Sequence, residues 1–561
     1  MAYTGNQGFG GLDARRAASD GAIRDMDNMS LRFSPAIGSR TKRRRIATGW
    51  KSFGGAYYGD RDYVVRGGKL YDNGTEVSGI TLTSGEKSMA MLEKNLWIFP
   101  DRIRYNTDTK AVKDFGAATQ QNITNKKYAE INFRIKKTGD TIISTEYLND
   151  LLVFLESDFP NIGFSAGTLV KIRMRKTTST ADAYESFVLR VEEKDTAYIT
   201  SPGFEGEQRV VKLQFPLGSF KSVYGKDRTQ IPIKIEISYT IPPRMEGVFA
   251  SDNRLWGYKG REIYASSLGD GSEWMDYDTL TTSSWAASTK TGDDITAGID
   301  FGGMPVFFCE NAAYKIYGEN PKEFQYARQD LIGVTAGDHK SVAVGAGYIF
   351  YATRRGIYAW TGGVPQLISS PLGEDRITDA VGGSDGAVYY LSCKQGGRQN
   401  LYAYDPLTFA WVREDDAKAI DIRMRRNDLC MVKDDNTAWL IGDVFGTEGT
   451  AESAITYALE TGEYNDGAVT VKAAKNILLQ HELTGGEADV SVSYDGEPWE
   501  HVYTLYDTDG KRITSVIPLR EKRYRTMKIR VEGDGEMIIY YMMRDVTALT
   551  ERTGGEKNVY Q

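Results

Sequence analysis

The sequence predicts an all-β protein built around a β-propeller. Five segments in its second half each contain two strand-like runs, and the second run of each carries a bulky hydrophobic pair. These pairs are Ile263-Tyr264, Ile316-Tyr317, Ile357-Tyr358, Leu401-Tyr402 and Trp439-Leu440. Their spacing of roughly 40 to 50 residues is the period of a propeller blade made of strands and turns. A unit of this size cannot bury its apolar face alone, so neighbouring units must stack into a ring.

The composition agrees with a protein made of strands and tight turns. The chain has 34 Tyr and 9 Trp, residues that favour half-buried pleated surfaces, and its 59 Gly against 15 Pro fit many turns. A length of 561 residues predicts two or three domains. The net charge of −7 gives no bulk attraction to nucleic acid.

Two further blades are expected in the first part of the chain. The pair Leu70-Tyr71 and the run from Ile103 to Tyr105 repeat the two-strand pattern. Between the strands of the first, Asn73-Gly74 is a strong hairpin turn, because these residues accept positive φ. We therefore predict a propeller of about seven blades from residues 45–117 and 246–443, with the chain ends sharing a blade to close the ring.

The period is interrupted by a segment with its own character and ends before a third region. Residues 118–245 alternate apolar and polar side chains, which predicts an inserted small β-barrel or sandwich. Residues 444–548 predict a C-terminal β-sandwich. Residues 1–44 are expected to form an extended N-terminal arm with one short helix around Asp13–Asp20, and 549–561 a C-terminal tail ordered by a partner.

Motifs for known chemistry are scarce. The three histidines are far apart in sequence, and no zinc-binding, nucleophile-elbow, phosphate-loop or dinucleotide pattern is present. We therefore expect no catalytic residue, metal or cofactor. Cys309, Cys393 and Cys430 each fall inside a strand-like run and are expected to be small buried hydrophobic residues. The N-terminus has no apolar signal segment and no run is long enough to span a membrane, so synthesis in a cytosol is expected.

A basic run precedes the first blade. Its cations are Arg40, Lys42, Arg43, Arg44 and Arg45. Like charges this close repel one another, and burying all of them would require as many paired acids. We therefore predict that the run lies outside the propeller core and contacts a partner, either a neighbouring subunit or an adaptor ring, with phosphate contact as an alternative.

Several phrases resemble the tail hub and nozzle proteins of short-tailed bacteriophages. LWGYKGREIYASSLGDGSEWMDY (255–277) is similar to a blade of that group, often described as tail tubular or DNA-stabilisation proteins, and RDMDNMSLRFSPAIGSRTKRRRI (24–46) is similar to their opening segment. The resemblance spans roughly residues 24–443. It implies a homo-oligomeric ring, commonly a hexamer, without enzyme activity.

The function expected from this resemblance is that of a structural virion protein. The ring would continue the genome-exit channel of the tail, contact other tail, adaptor or fibre proteins, and let DNA pass without sequence-specific binding. One alternative is a receptor-binding or tail-tip protein of a long-tailed phage. A second is a propeller-type glycan hydrolase, which would require paired carboxylates in a pocket on the propeller axis.

Overall fold

The computed structural model describes residues 2–16, 18–115, 242–274, 281–289, 292–466 and 470–549, and, between 116 and 241, only the strands. The predicted all-β propeller class is confirmed. The described residues form strands and two short 3-10 turns, His339–Ser341 and Ser370–Leu372, without an α-helix. No helix in this part of the chain is long and apolar enough to cross a bilayer.

Seven small antiparallel sheets follow one another around the ring, and we number them blade 1 to blade 7. Each begins with an inner strand, and the later strands pair outward in chain order, except that the fourth strand of blade 7 comes from the N-terminal part of the chain. Blade 1 contains Phe53–Tyr58, Asp62–Arg66, Lys69–Asp72 and Thr75–Glu76. Blade 2 contains Ser88–Leu92, Asn95–Phe99, Ile103–Asn106 and Val112–Asp114. Blade 3 contains Gly247–Ser251, Arg254–Lys259, Glu262–Ala265 and Trp285–Ser288.

The remaining four sheets repeat this arrangement. Blade 4 contains Ala297–Phe301, Met304–Phe308, Ala312–Tyr317 and Gln325–Asp330. Blade 5 contains Ala343–Gly345, Tyr348–Thr353, Gly356–Trp360 and Gln366–Leu367. Blade 6 contains Ile377–Ser384, Tyr389–Gln395, Arg398–Asp405 and Ala410–Asp415. Blade 7 contains Ala419–Arg425, Asp428–Lys433, Ala438–Ile441, Arg44–Ala47 and Thr450–Ala451.

Blade 7 joins the two ends of the propeller. Its strand Arg44–Ala47 comes from the N-terminal part of the chain and pairs antiparallel with Ala438–Ile441. The prediction that the chain ends share a blade is confirmed, and the pairing closes the ring. Elsewhere, aromatic rings pack neighbouring blades together: Phe308 of blade 4 lies with its ring centroid 5.0 Å from Tyr351 of blade 5.

Two further sheets form the predicted C-terminal sandwich. Buried side chains of both sheets, including Ile477, Val490 and Ile529, belong to one hydrophobic core. The strands of the first sheet are Met29–Ser30, Ile37–Ser39, Glu536–Ala548, Lys472–Thr484, Ile513–Pro518 and Ala2–Asn6. Those of the second sheet are Ile23–Asp27, Thr456–Thr461, Met527–Asp534, Glu487–Tyr494 and Glu500–Tyr506.

The N-terminal segment therefore differs from the expected extended arm. Ala2–Asn6 pairs with Glu536–Ala548, and Ile23–Asp27 pairs with Thr456–Thr461. The described residues around Asp13–Asp20 form turns and irregular backbone and not a helix. The reason is that the free edges of the sandwich supply backbone partners to an otherwise unpaired segment.

The inserted segment contains strands of a single nine-stranded antiparallel sheet. Its strands are Ile123–Asn125, Tyr128–Thr138, Thr141–Phe154, Leu169–Arg175, Tyr184–Val191, Ala197–Thr200, Glu207–Gln214, Gln230–Pro232 and Ile235–Thr240. The sequence predicts a small barrel or sandwich here, and the described strands agree with its all-β character. The predicted tail 549–561 lies, apart from Leu549, outside the described residues.

A candidate binding site on the propeller axis

A cavity of about 430 Å³ lies at the centre of the ring. Every blade contributes to its wall, through its inner strand or through the residues that lead into that strand. Such a wall requires the seven sheets to surround a common axis. The charged side chains that line this axial cavity are Glu86, Lys87, Glu246, His339, Lys340, Asp421 and Arg423.

The repeated blade structure explains why several of these charges gather at one end of the cavity. Glu86 precedes the inner strand of blade 2, Glu246 that of blade 3, and Lys340 that of blade 5. Because each blade repeats the same strand order, the inner strands run in one direction along the axis. Residues just before these strands therefore meet at the same end of the ring, even though they are far apart in sequence.

Glu86 is held by two basic side chains. Its Oε1 lies 2.8 Å from His339 Nε2, and its Oε2 lies 3.5 Å from Lys340 Nζ. Burial acts to raise the pKa of Glu86, but the hydrogen bond with His339 and the charge of Lys340 outweigh it, so the pKa lies below its usual value. Glu86 is thus ionised at neutral pH and fixed in orientation, while 41% of its side chain stays exposed.

Asp421 forms a second anchored carboxylate on blade 7. It is buried, and its Oδ1 accepts a hydrogen bond from Arg423 Nε at 2.9 Å. The charge of Asp421 raises the pKa of Arg423, so the guanidinium of this pair stays charged. The remaining cation, Lys87, is buried and already paired, with its Nζ 2.8 Å from Asp101 Oδ2.

Glu246 differs from the other two carboxylates of the cavity. Its side chain is exposed, and within the described residues its carboxylate has no ion-pair partner. Nearby, the rings of Tyr57, Phe249 and Tyr258 supply aromatic surface to the wall, and burial raises the pKa of the Tyr258 hydroxyl. The cavity therefore combines anchored charges, one unpaired carboxylate and apolar faces.

No group of three or more potential ligands suited to a metal ion occurs among the residues that the structure describes. The three cysteines are buried with free thiols, as the sequence predicts. Burial raises the pKa of each thiol to about 12, which leaves it protonated and chemically inert at neutral pH.

The structure corrects the predicted placement of the basic run. Arg40 is buried and pairs with Glu452, with Nη1 2.7 Å from Oε2. Arg43 is 4% exposed and pairs with both Glu414 and Asp415. The prediction that these residues lie outside the core is wrong. Blade 6 supplies the carboxylates that pair with Arg43, and the segment after blade 7 supplies the one that pairs with Arg40.

The rest of the run is also integrated into the chain. Arg44 and Arg45 belong to the fourth strand of blade 7, where the Arg44 Nε donates a hydrogen bond to the Glu448 carbonyl at 2.8 Å. The Arg45 guanidinium lies 5.7 Å from the ring centroid of Trp439. Lys42 is exposed. Contact of the run with a partner protein stays a prediction.

The sequence reasoning identified none of the axial residues. A signal was nevertheless present, since Glu86 and Glu246 stand just before strands that the blade period predicts. Without the ring closed, however, nothing distinguishes them from the many solvated charges at strand ends. Their selection as a site depends on the axis that the seven inner strands define together.

No family model and no curated protein matches the chain. Solved structures with a similar arrangement include an exo-β-1,3-galactanase from Phanerochaete chrysosporium with galactose, at 10% identity and a TM-score of 0.22, covering 52% of this chain and 95% of that chain. A glycoside hydrolase family 43 arabinoxylan arabinofuranohydrolase from Bacillus subtilis is 10% identical, with a TM-score of 0.17, covering 90% of this chain and 96% of that chain.

A third similar structure is PorZ, a surface component of the type-IX secretion system of Porphyromonas gingivalis. It is 11% identical, with a TM-score of 0.19, covering 76% of this chain and 66% of that chain. Likeness at such TM-scores carries no argument about activity. The geometry and charges of the axial cavity are therefore the basis for inferring a function.

These comparisons contradict the expected non-enzymatic phage tail protein. Two of the structures named above are glycoside hydrolases and the third is a surface component of a secretion system, and none of the three is a phage tail protein. The predicted function as a phage tail protein is therefore wrong, and so is the prediction that the protein is not an enzyme. The homo-oligomeric ring, the partner proteins and the virion localisation, which followed from the same resemblance, stay predictions.

Proposed function

We propose that the axial cavity binds a sugar unit of a glycan and that the protein hydrolyses a glycosidic bond there. The observation that carries the proposal is that three carboxylates, Glu86, Glu246 and Asp421, line one cavity of about 430 Å³. This volume falls in the usual range of small-molecule sites. Hydrolysis of glycosides uses a pair of carboxylates on opposite sides of the bond to be cleaved.

The environments of these carboxylates suggest how they divide the work. Glu86, whose pKa is lowered by His339 and Lys340, is ionised at neutral pH and suits the role of nucleophile or general base. Glu246 is exposed and has no ion-pair partner in the described part of the chain, and we assign it to the second carboxylate position beside the glycosidic bond. Asp421, held by Arg423, is the positioning group that accepts hydrogen bonds from sugar hydroxyls.

The cavity wall also suits a sugar. Sugars present both hydroxyl groups and apolar C–H faces, and the wall offers charged acceptors beside the rings of Tyr57, Phe249 and Tyr258. Aromatic surface of this kind packs against apolar faces, while carboxylates accept charge-assisted hydrogen bonds.

The proposal is tested by incubating the purified full-length protein with a panel of α- and β-linked oligosaccharides and measuring new reducing ends. At least one oligosaccharide should be cleaved, and Glu86→Gln and Glu246→Gln should each lower kcat by about a hundredfold or more. Binding of the intact oligosaccharide, measured by calorimetry, should survive in Glu246→Gln. Glu323→Gln, an exposed site on blade 4, is the matched control and should retain full activity.

Two results would overturn the proposal. Binding of oligosaccharides without cleavage, unaffected by the two substitutions, would exclude a hydrolytic role of these carboxylates. Absence of both binding and cleavage across the panel would exclude the cavity as a glycan site.

A further inference from the structure

A second cavity, of about 190 Å³, lies between blades 3 and 4. Its wall includes Asp252, in the turn that follows the inner strand of blade 3, and Gly303, in the corresponding turn of blade 4. Glu246 precedes the same inner strand of blade 3, so this blade 3–4 cavity and the charged end of the axial cavity lie at opposite ends of the ring. The two sites are therefore separate.

The inner wall of the blade 3–4 cavity carries a buried positive charge that pairs with no acid of the described residues. Arg254 is 1% exposed, and its Nη1 donates hydrogen bonds to the carbonyls of Ser266 at 2.7 Å and Ser283 at 2.5 Å. Its Nη2 donates to the Thr281 carbonyl. Among the described residues no carboxylate forms an ion pair with it, and burial lowers the pKa of Arg254. Neutral carbonyls orient this guanidinium without cancelling its charge.

The same wall contains a hydrogen-bond donor without an acceptor. Trp256 is 2% exposed, and its Nε1 is buried with no hydrogen-bond partner among the described residues. Buried donors are almost always satisfied, so an unsatisfied one in a cavity wall points to an acceptor that is supplied from outside. A carboxylate would satisfy this N–H and neutralise Arg254 together.

The remaining wall is apolar and the rim is acidic. Met304, Pro305, Ile316 and the Phe324 ring line the cavity, and the Phe324 ring centroid lies 5.3 Å from that of Trp256. At the rim, Asp252 and Glu319 are exposed and form no ion pair with a described residue. Two unpaired carboxylates disfavour a simple anion but favour a ligand that also carries a positive charge.

We propose that the blade 3–4 cavity binds a small zwitterion of the amino-acid class. The ligand carboxylate faces Arg254 and Trp256 Nε1, an apolar side chain packs along Ile316 and Phe324, and the ammonium group lies at the rim beside Asp252 and Glu319. The cavity is smaller than those that hold drug-sized ligands, which agrees with a single amino acid.

Calorimetry of the full-length protein with leucine, leucinamide and N-acetylleucine tests each contact separately. Leucine should bind, while leucinamide, which lacks the carboxylate, and N-acetylleucine, which lacks the ammonium group, should each bind at least about tenfold more weakly. Trp256→Phe removes the N–H and keeps an aromatic ring, so it should weaken leucine and leave leucinamide unchanged. Trp439→Phe, in blade 7 and not among the residues that line this cavity, is the matched control.

The rim is tested with the double variant Asp252→Asn, Glu319→Gln. It should weaken leucine about tenfold and leave N-acetylleucine unchanged or slightly tighter. The proposal would be overturned if leucine and leucinamide bound with equal affinity. It would also be overturned if the folded protein without substitutions did not bind leucine at millimolar concentration. Tightest binding of N-acetylleucine would overturn the role of the acidic rim.

Discussion

Two buried arginines of this protein are stabilised in opposite ways. Arg43, between the propeller and the sandwich, is 4% exposed and pairs with the carboxylates of Glu414 and Asp415. Arg254, in blade 3, is 1% exposed, and among the described residues its hydrogen bonds go to main-chain carbonyls while its guanidinium lies over the Phe324 ring. The charge of Arg43 is balanced by two carboxylates, whereas no carboxylate of the described residues pairs with Arg254.

This difference separates a structural contact from a candidate site. The charge of Arg43 is compensated by two carboxylates, so an anion would gain little by binding there. A buried charge that meets only dipoles keeps an unsatisfied attraction for an anion. Burial of a charged side chain therefore does not by itself indicate a binding site. The charges that surround the buried group are the more informative observation.

The largest expected effect is that of Arg43→Met. The substitution leaves Glu414 and Asp415 without their partner, and breaking a buried ion pair in this way costs about 3–5 kcal/mol. The free energy of unfolding, measured in denaturant, should fall by that amount. Lys42→Met, at the exposed neighbouring position, is the control and should change it by less than about 0.5 kcal/mol. A loss below about 1 kcal/mol in Arg43→Met would contradict the pairing.

The effect of Arg43→Met should depend on pH. Burial acts to raise the pKa of Asp415, but Arg43 outweighs it and the pKa is lowered. The native chain thus gains stability from Asp415 above the unfolded pKa of about 4 and loses it as the pH falls through the lower folded value. Without Arg43, burial raises the carboxyl pKa, so the variant is penalised most at neutral pH.

The difference in unfolding free energy between the native chain and Arg43→Met should therefore shrink from pH 7 to pH 4. Denaturant unfolding at several pH values measures this difference. The corresponding difference between the native chain and Lys42→Met is the reference and should not change with pH. A difference that is constant over this range would show that the effect of the substitution is not electrostatic.

Arg254→Met should destabilise less than Arg43→Met. The three carbonyls lose their donor, which costs about 1–3 kcal/mol, but no buried carboxylate is left unpaired and an unfavourable buried charge disappears. Its cost should also be independent of pH between 4 and 7, since no carboxylate of the described residues pairs with Arg254. A cost above that of Arg43→Met would reveal an acid partner of Arg254.

The smallest effect on stability is expected for Glu86→Gln in the axial cavity. Its partner His339 is 39% exposed and Glu86 41% exposed, so solvent screens the pair, and exposed pairs contribute about 0–1 kcal/mol. Thermal unfolding should therefore change little, while the proposed hydrolysis is lost. A large destabilisation would instead assign Glu86 a structural role.

The sequence predicted the parts of the fold that depend on local patterns. The hydrophobic pairs such as Ile357-Tyr358 lie in strands because bulky β-branched and aromatic side chains fit pleated sheets wherever they occur. The repeat of these pairs then predicted the propeller. The burial of Cys309, Cys393 and Cys430 followed from the same strand pattern.

The parts that were wrong depend on contacts between distant segments. Arg43 and Glu414 are 371 residues apart, and the segment Ala2–Asn6 pairs with a strand at the other end of the chain. A basic run or a polar N-terminal segment has the same local pattern whether a partner lies nearby or not. The sequence therefore did not distinguish a solvated arm from an integrated strand.

The sequence by itself determined the all-β class, the blade period and the position of the sandwich, because each depends on which side chains alternate along a strand. Only the tertiary structure decided which charges are paired and which line a cavity. Glu86 and Glu246 line one common axis only when the ring closes, and the acids that pair with Arg43 reach it only through contacts between distant segments. The physical reason is that the energy of a charge depends on everything within a few ångströms of it, and long-range strand pairing fixes that surrounding.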